Sequence, residues 1–216
     1  MRKVYLMLAF STFILFVFFS YLVSKELFNQ FDFNTTVKLQ DRISRAWDTP
    51  FSFFSLIGSI EITAFLWLGL SIWMALKRYW WTLISLSFFI SSHIIEVFGK
   101  LLLFHPSPPL LFFRGVAPLP FQFPSHYVHT DYSYPSGHSM RTAFLVVFLF
   151  FLAEHRLRGP ARLIAQSFLA VFLFVMLLSR VYLGEHWTTD VIGGALLGTA
   201  AALIAVWALP KFKVQK

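Results

Sequence analysis

The sequence predicts an all-α integral membrane bundle of six transmembrane helices, with an interfacial helix between the first and second. Three observations carry this expectation. Hydrophobic residues make up 57% of the 216 and charged residues 13%, about half the charged share of a soluble domain, so an aqueous core could not hide the apolar surface. Six stretches reach the length that a hydrocarbon layer of about 30 Å demands of a helix. Lys and Arg cluster in short connections between those stretches, as they do in the loops of membrane proteins.

The first stretch, 4–23, follows Arg2 and Lys3. It is longer than a cleavable signal core and no small-residue cleavage site follows it, so it reads as a retained span. Ser24 to Pro50 mixes Leu27, Phe28, Phe31, Phe33, Val37, Leu39, Ile43 and Trp47 with charges, and reads in part as the interfacial helix. Spans two and three, 52–76 and 80–103, are joined only by Lys77-Arg78-Tyr79. Pro106, Pro108 and Pro109 end the third span. The connection from His105 to Pro135 holds six prolines before Pro135 and cannot be helical. Spans four and five, 138–154 and 162–182, form a second tight hairpin, and the sixth covers 188–209. Within it Gly193, Gly194 and Gly198 suit close helix packing.

Alternate connections differ in charge. One side holds Arg2, Lys3, Lys77, Arg78, Arg156, Arg158, Arg162, Lys211, Lys213 and Lys216; the other holds Lys25, Lys38, Arg42, Arg45 and Arg114. The excess places both termini in the cytoplasm of a multi-pass plasma-membrane protein and residues 105–135 outside. The net charge of +8 raises nucleic acid as a partner, but the basic residues form no stripe on a polar domain, which excludes that class. Without cysteine, disulfides, thiolate metal sites and cysteine nucleophiles are excluded too. The chain reads as one domain, 1–216, among membrane lipids, with no obligate protein partner indicated.

Topology brings three polar clusters to the outer ends of spans three to six: Lys100; Pro135-Ser136-Gly137-His138; and Ser179-Arg180 with His186 and Asp190. Lys100 and Arg180 are fixed cations at a membrane boundary, where charge is expensive unless paired, and an anion with several oxygens suits both. Ser136 and Gly137 open a helix whose free N–H groups accept phosphate, and Gly137 allows close approach. His186 and Asp190, four apart, share a helix face. The carboxylate can hold one imidazole N–H and leave the other nitrogen to attack phosphorus. His138 would then protonate the leaving oxygen and activate water, work worth about 10²–10⁴-fold, while Lys100, Arg180 and the backbone N–H groups stabilise the equatorial oxygens. No three histidines or carboxylates converge in the sequence, so no metal and no cofactor are expected.

These motifs resemble the type 2 phosphatidic acid phosphatase superfamily, whose pattern is Lys, six residues, Arg-Pro; Pro-Ser-Gly-His; and Ser-Arg, five residues, His, three residues, Asp. The second and third motifs match completely and in order, and the resemblance extends over essentially the whole chain. It implies that His186 forms a phosphohistidine, that Asp190 is its partner and His138 the general acid, and that Lys100, Ser136, Gly137 and Arg180 cradle the phosphate. The implied substrate is a lipid phosphomonoester or pyrophosphate of isoprenoid, phosphatidylglycerophosphate or phosphatidate type. The first motif departs from the pattern: Ser107-Pro108 stands where Arg-Pro is expected. Arg114 or His105 in the same loop are the candidates to replace that cation.

Other polar residues have plainer readings. Glu96, four before Lys100, is placed to neutralise it. His93 reads as a buried hydrogen-bonded histidine, Glu61 as an intramembrane carboxylate without an evident partner, and Arg141 as a residue near the site mouth. His126, His129 and Asp131 are expected to be solvated or to touch a head group. A lipid phosphotransferase would use the same residues, and a non-catalytic phosphate-binding protein is the remaining alternative.

Overall fold

The computed structural model describes residues 2–116 and 132–209. His126, His129, Asp131, Lys211, Lys213 and Lys216 lie outside them. The described residues form nine α-helices and no strand: α1 (Arg2–Ser24), α2 (Asn29–Arg42), α3 (Asp48–Ile57), α4 (Ile60–Leu76), α5 (Trp80–Leu86), α6 (Phe88–Leu102), α7 (Gly137–Arg156), α8 (Gly159–Tyr182) and α9 (Thr188–Trp207).

Five stretches are long and apolar enough to cross a bilayer: 3–24, α5 with α6, α7, α8 and α9. The remaining expected span, the second, is broken. Residues 52–76 were expected as one helix, but α3 and α4 meet at Gly58 and Ser59 with a bend of 41°. Ser59 ends the continuity by capping α4, its Oγ accepting from Ile62 N at 3.4 Å. A smaller interruption falls at Ser87, whose Oγ donates back to Ile84 O at 2.6 Å, a local bond that competes with the helix ladder.

The centre of the bundle is the α7–α9 pair. In the apolar stretches, 61% of α7 and 72% of α9 are buried, against 6% of α8. The glycines of α9 make this possible: a Cβ would sit 2.2 Å from Ser136 O at Gly194 and 2.1 Å from Met140 O at Gly198. Only a bare Cα lets the two backbones approach so closely, a packing that serves where apolar burial gives no driving force between helices. Ala201, Ala202 and Ala205 continue the tight face beneath Phe144 and Phe148.

The helix expected at the interface is α2, and it does more than lie on a surface. It packs on α8 and α9 while Phe31 and Phe33 stay about half exposed. Gln40 Nε2 donates to Phe112 O at 2.6 Å and to Tyr182 O at 2.8 Å. Asp32 is buried and accepts from Thr189 N at 2.9 Å and Thr189 Oγ1 at 2.6 Å, which satisfies free donors at the start of α9. α2 thus clamps the end of the bundle that carries the motifs.

Candidate active site

The end of α6, the start of α7, the end of α8 and the start of α9 meet at one end of the bundle. Ser136 N donates to Asp190 O at 3.0 Å, so the second and third motifs are tied directly by backbone. Asp190 is the third residue of α9. Its Oδ2 accepts from Trp187 N at 3.0 Å and from His186 Nδ1 at 3.2 Å. The first bond caps the helix and holds the carboxylate still. The second assigns the proton to Nδ1 and leaves Nε2 of His186 unprotonated, the state an attacking nitrogen needs. His186 is 8% exposed. Burial first, then the nearby cations Arg180, Lys100 and Arg141, push its imidazole well below its ordinary value near 6.5, so it stays neutral.

A second layer stands behind Asp190. His105 Nε2 is 3.4 Å from Asp190 Oδ1 and 3.1 Å from Thr189 Oγ1. Since Thr189 Oγ1 donates to Asp32, Nε2 of His105 must carry the proton of that contact. His105 therefore faces the rear of the His186–Asp190 pair and not a phosphate cradle, where the loop reading offered it as a cation. Asp32, 157 residues from Thr189 in the chain, completes this layer, and no local sequence signal marks it.

The cations sit in front. Arg180 is buried and is bonded to Glu185 and to Ser55 Oγ of α3; its Nε has no partner. Lys100 Nζ bonds Glu96 Oε1 at 2.9 Å, as the spacing suggested. Arg141 also reaches Glu96, with its NH1 3.7 Å from Oε2. It donates from Nε to Gly58 O at 3.3 Å, and its NH2 lies 3.5 Å from His138 Nδ1. The break in span two thus leaves Gly58 O to accept from Arg141 and presents Ser55 to Arg180. Ser136 caps α7, its Oγ accepting from Ser139 N at 3.4 Å. Gly137 lets Glu96 come close: a Cβ there would lie 2.0 Å from Glu96 Oε1, so any larger residue would have to push the carboxylate aside.

Arg114 is placed elsewhere. Its NH1 donates to Gln40 O at 3.1 Å and to Tyr182 Oη at 3.4 Å, and its guanidinium stacks 5.3 Å over the Tyr182 ring. Ser107 is exposed and borders a cavity of about 300 Å³ beside Trp187, Asp32 and His105. His93 Nδ1 lies 2.8 Å from Phe89 O, a satisfied histidine, as its position suggested. Glu61, in the first turn of α4, keeps a buried Oε1 without a hydrogen-bond partner. Among the described residues no three His, Asp or Glu side chains are grouped to hold a metal. A buried imidazole with a free nitrogen, a second histidine and several cations around a helix N-terminus can bind an anionic oxygen cluster and move a phosphoryl group.

Known proteins agree with this picture. Residues 80–213 match the family model of the PAP2 superfamily. Phosphatidylglycerophosphatase B of Bacillus subtilis is 42% identical over 77 residues, 32% of this chain and 35% of that protein. An undecaprenyl-diphosphatase of Sulfolobus acidocaldarius is 38% identical over 77 residues, 36% of this chain and 34% of that protein. The chain thus matches about a third of the length of these curated relatives. The crystal structure of a transmembrane PAP2-type phosphatidylglycerolphosphate phosphatase from Bacillus subtilis superposes with a TM-score of 0.71 over 91% of this chain and 93% of that one, at 20% identity. The helical arrangement is therefore shared, the family model covers more than half of the sequence, and this multi-pass membrane chain belongs to the PAP2 superfamily.

Proposed function

We propose that this protein hydrolyses a lipid phosphate through a phosphohistidine intermediate, without a metal. The observation that supports it most is the His186 Nδ1 contact with Asp190 Oδ2 at 3.2 Å, which frees Nε2 for attack on phosphorus. In the first step Nε2 forms a bond to phosphorus as the bond to the lipid oxygen breaks, and His138 gives that oxygen a proton. In the second step His138 takes a proton from water, whose oxygen attacks phosphorus and releases His186 and orthophosphate. Lys100, Arg180 and the N–H groups at Ser136 and Gly137 hold the non-bridging oxygens.

The relatives' names point to phosphatidylglycerophosphate and undecaprenyl diphosphate as the substrates to try first. The charge distribution favours both termini in the cytoplasm and the site facing outward, where a lipid could present its head group while its chains stay between helices. Orthophosphate release from these lipids by purified protein, with His186→Ala as control, tests the reading. Substrate labelled in the transferred phosphate should leave alkali-stable, acid-labile label on the wild-type chain and none on the variant. Release by His186→Ala at the wild-type rate would end the proposal.

A further inference from the structure

Arg141 is the least expected charge in the bundle. It lies in the first turns of α7, is 6% exposed, and follows His138 by three residues, on the same helix face. A buried guanidinium needs partners, and its partners here are functional groups: Glu96 Oε2 at 3.7 Å, His138 Nδ1 at 3.5 Å and the free carbonyl of Gly58 at 3.3 Å. Glu96 is shared with Lys100, at 2.9 Å. The same carboxylate presses against Gly137 so closely that a Cβ there would overlap it. Two cations and the N-terminus of α7 therefore converge on one carboxylate, which is how a site for an anion is built.

Nearby polar groups remain unused. Arg180 Nε and Thr142 Oγ1 are buried without partners, and the Thr142 hydroxyl packs beside His138 at Gly58. These are spare donors around the same space. Ser107, where the first motif lacks its arginine, is meanwhile exposed in the loop beside Trp187.

We propose that Arg141 is a phosphate-binding residue of this site, supplying with Lys100 the cationic wall that the first motif leaves incomplete, and that Glu96 occupies this wall until phosphate competes for it. The proposal rests on the phosphatase reading for its substrate, but not for its binding site. Arg141 brings a planar fork to two phosphoryl oxygens.

The test measures orthophosphate affinity by calorimetry in detergent, and kcat/KM for orthophosphate release from a lipid phosphate. Arg141→Met should weaken orthophosphate binding about tenfold or more and lower kcat/KM about 10²-fold. Glu96→Gln, which keeps Arg141 in its fold, should bind orthophosphate about threefold tighter or more.

Arg141→Met with both quantities within twofold of wild type overturns the proposal. So does a Glu96→Gln Arg141→Met pair restored to wild-type values, since Arg141 would then only neutralise Glu96. If Arg141→Met fails to fold, unchanged or weaker phosphate binding by Glu96→Gln overturns it. Wild-type protein that binds orthophosphate but releases none from any lipid phosphate would refute the phosphatase reading and leave this binding site standing.

Discussion

Asp190→Asn separates charge from geometry at the centre of the site. In the structure Oδ2 accepts from both Trp187 N and His186 Nδ1, while Oδ1 faces His105 Nε2 at 3.4 Å. An asparagine can place its carbonyl oxygen at the Oδ2 position and keep both bonds, with its NH2 facing His105 Nε2, which then gives its proton to Nδ1 so as to accept. The helix cap and the His186 tautomer then survive, and the negative charge is lost while His105 moves to its other tautomer. Two unit charges 3.2 Å apart interact by about 5 kcal/mol at an effective dielectric constant of about 20. With about half a positive charge on the imidazole at the transition state, the loss is about 2.5 kcal/mol, or about 10²-fold in kcat. Asp190→Ala removes the cap as well, so it should fall further in rate and also lose about 1 kcal/mol of stability. Orthophosphate release under saturating lipid phosphate, with a thermal melt of each variant, reads both effects. Asp190→Asn within about threefold of the wild-type kcat would refute electrostatic support of His186 by Asp190, and equal losses of rate and melting temperature in the two variants would refute the separation.

Three further outcomes follow from the same geometry. Asp32→Ala orphans the N–H and hydroxyl of Thr189, so the fold should lose about 1–3 kcal/mol, seen as a lower melting temperature; an unchanged melt would show that α2 does not clamp α9. Arg114→Ala should leave kcat/KM within about threefold and cost about 1–2 kcal/mol of stability, because its bonds go to Gln40 and Tyr182; a tenfold fall in kcat/KM with an unchanged melt would return Arg114 to the phosphate cradle. The acid limb of kcat/KM, corrected for the substrate's own ionisation, should lie below pH 6.5. Burial and the cations Arg180, Lys100 and Arg141 depress His186, outweighing Asp190, so the nucleophile stays unprotonated as pH falls through 6.5. A limb above 6.5 would contradict that balance.

Much of this was legible in the sequence because two signals are non-local by nature. Hydropathy gives the number of spans, and alternation of spans fixes which helix ends share a side, so Lys100, His138, Arg180, His186 and Asp190 could be gathered without any contact being known. The break at Gly58–Ser59 was not legible. Both residues are tolerated in membrane helices, and the groups that use the break, Arg141 and Arg180, come from other spans. Nothing near Asp32 in the sequence marks it, since its partner Thr189 is 157 residues away. The signal for Arg141 was present: a charge inside an otherwise apolar span, three residues after His138. Position alone suggested the mouth of the site, and only the shared contacts with Glu96 and His138 place it inside.

The site also explains how two buried cations, Arg141 and Arg180, and the part-exposed Lys100 persist at a membrane boundary. An unpaired buried charge costs several kcal/mol, and each cation here has a carboxylate: Glu96 for Lys100 and Arg141, Glu185 for Arg180. The two carboxylates are not equivalent. The Glu96 side chain is 7% exposed and wedged at Gly137, while that of Glu185 is 22% exposed. Glu185 can turn toward water and surrender Arg180, whereas Glu96 can yield contacts but stays buried beside its partners. Among the groups in direct contact, three positive charges would then face the single negative charge of Glu96. A dianionic phosphoryl group supplies the two that are missing, and a monoanion or a phosphodiester supplies only one. On the proposed phosphatase reading, the site is therefore balanced for a terminal phosphate, with the selection set by the counter-charge that remains buried as well as by the cations.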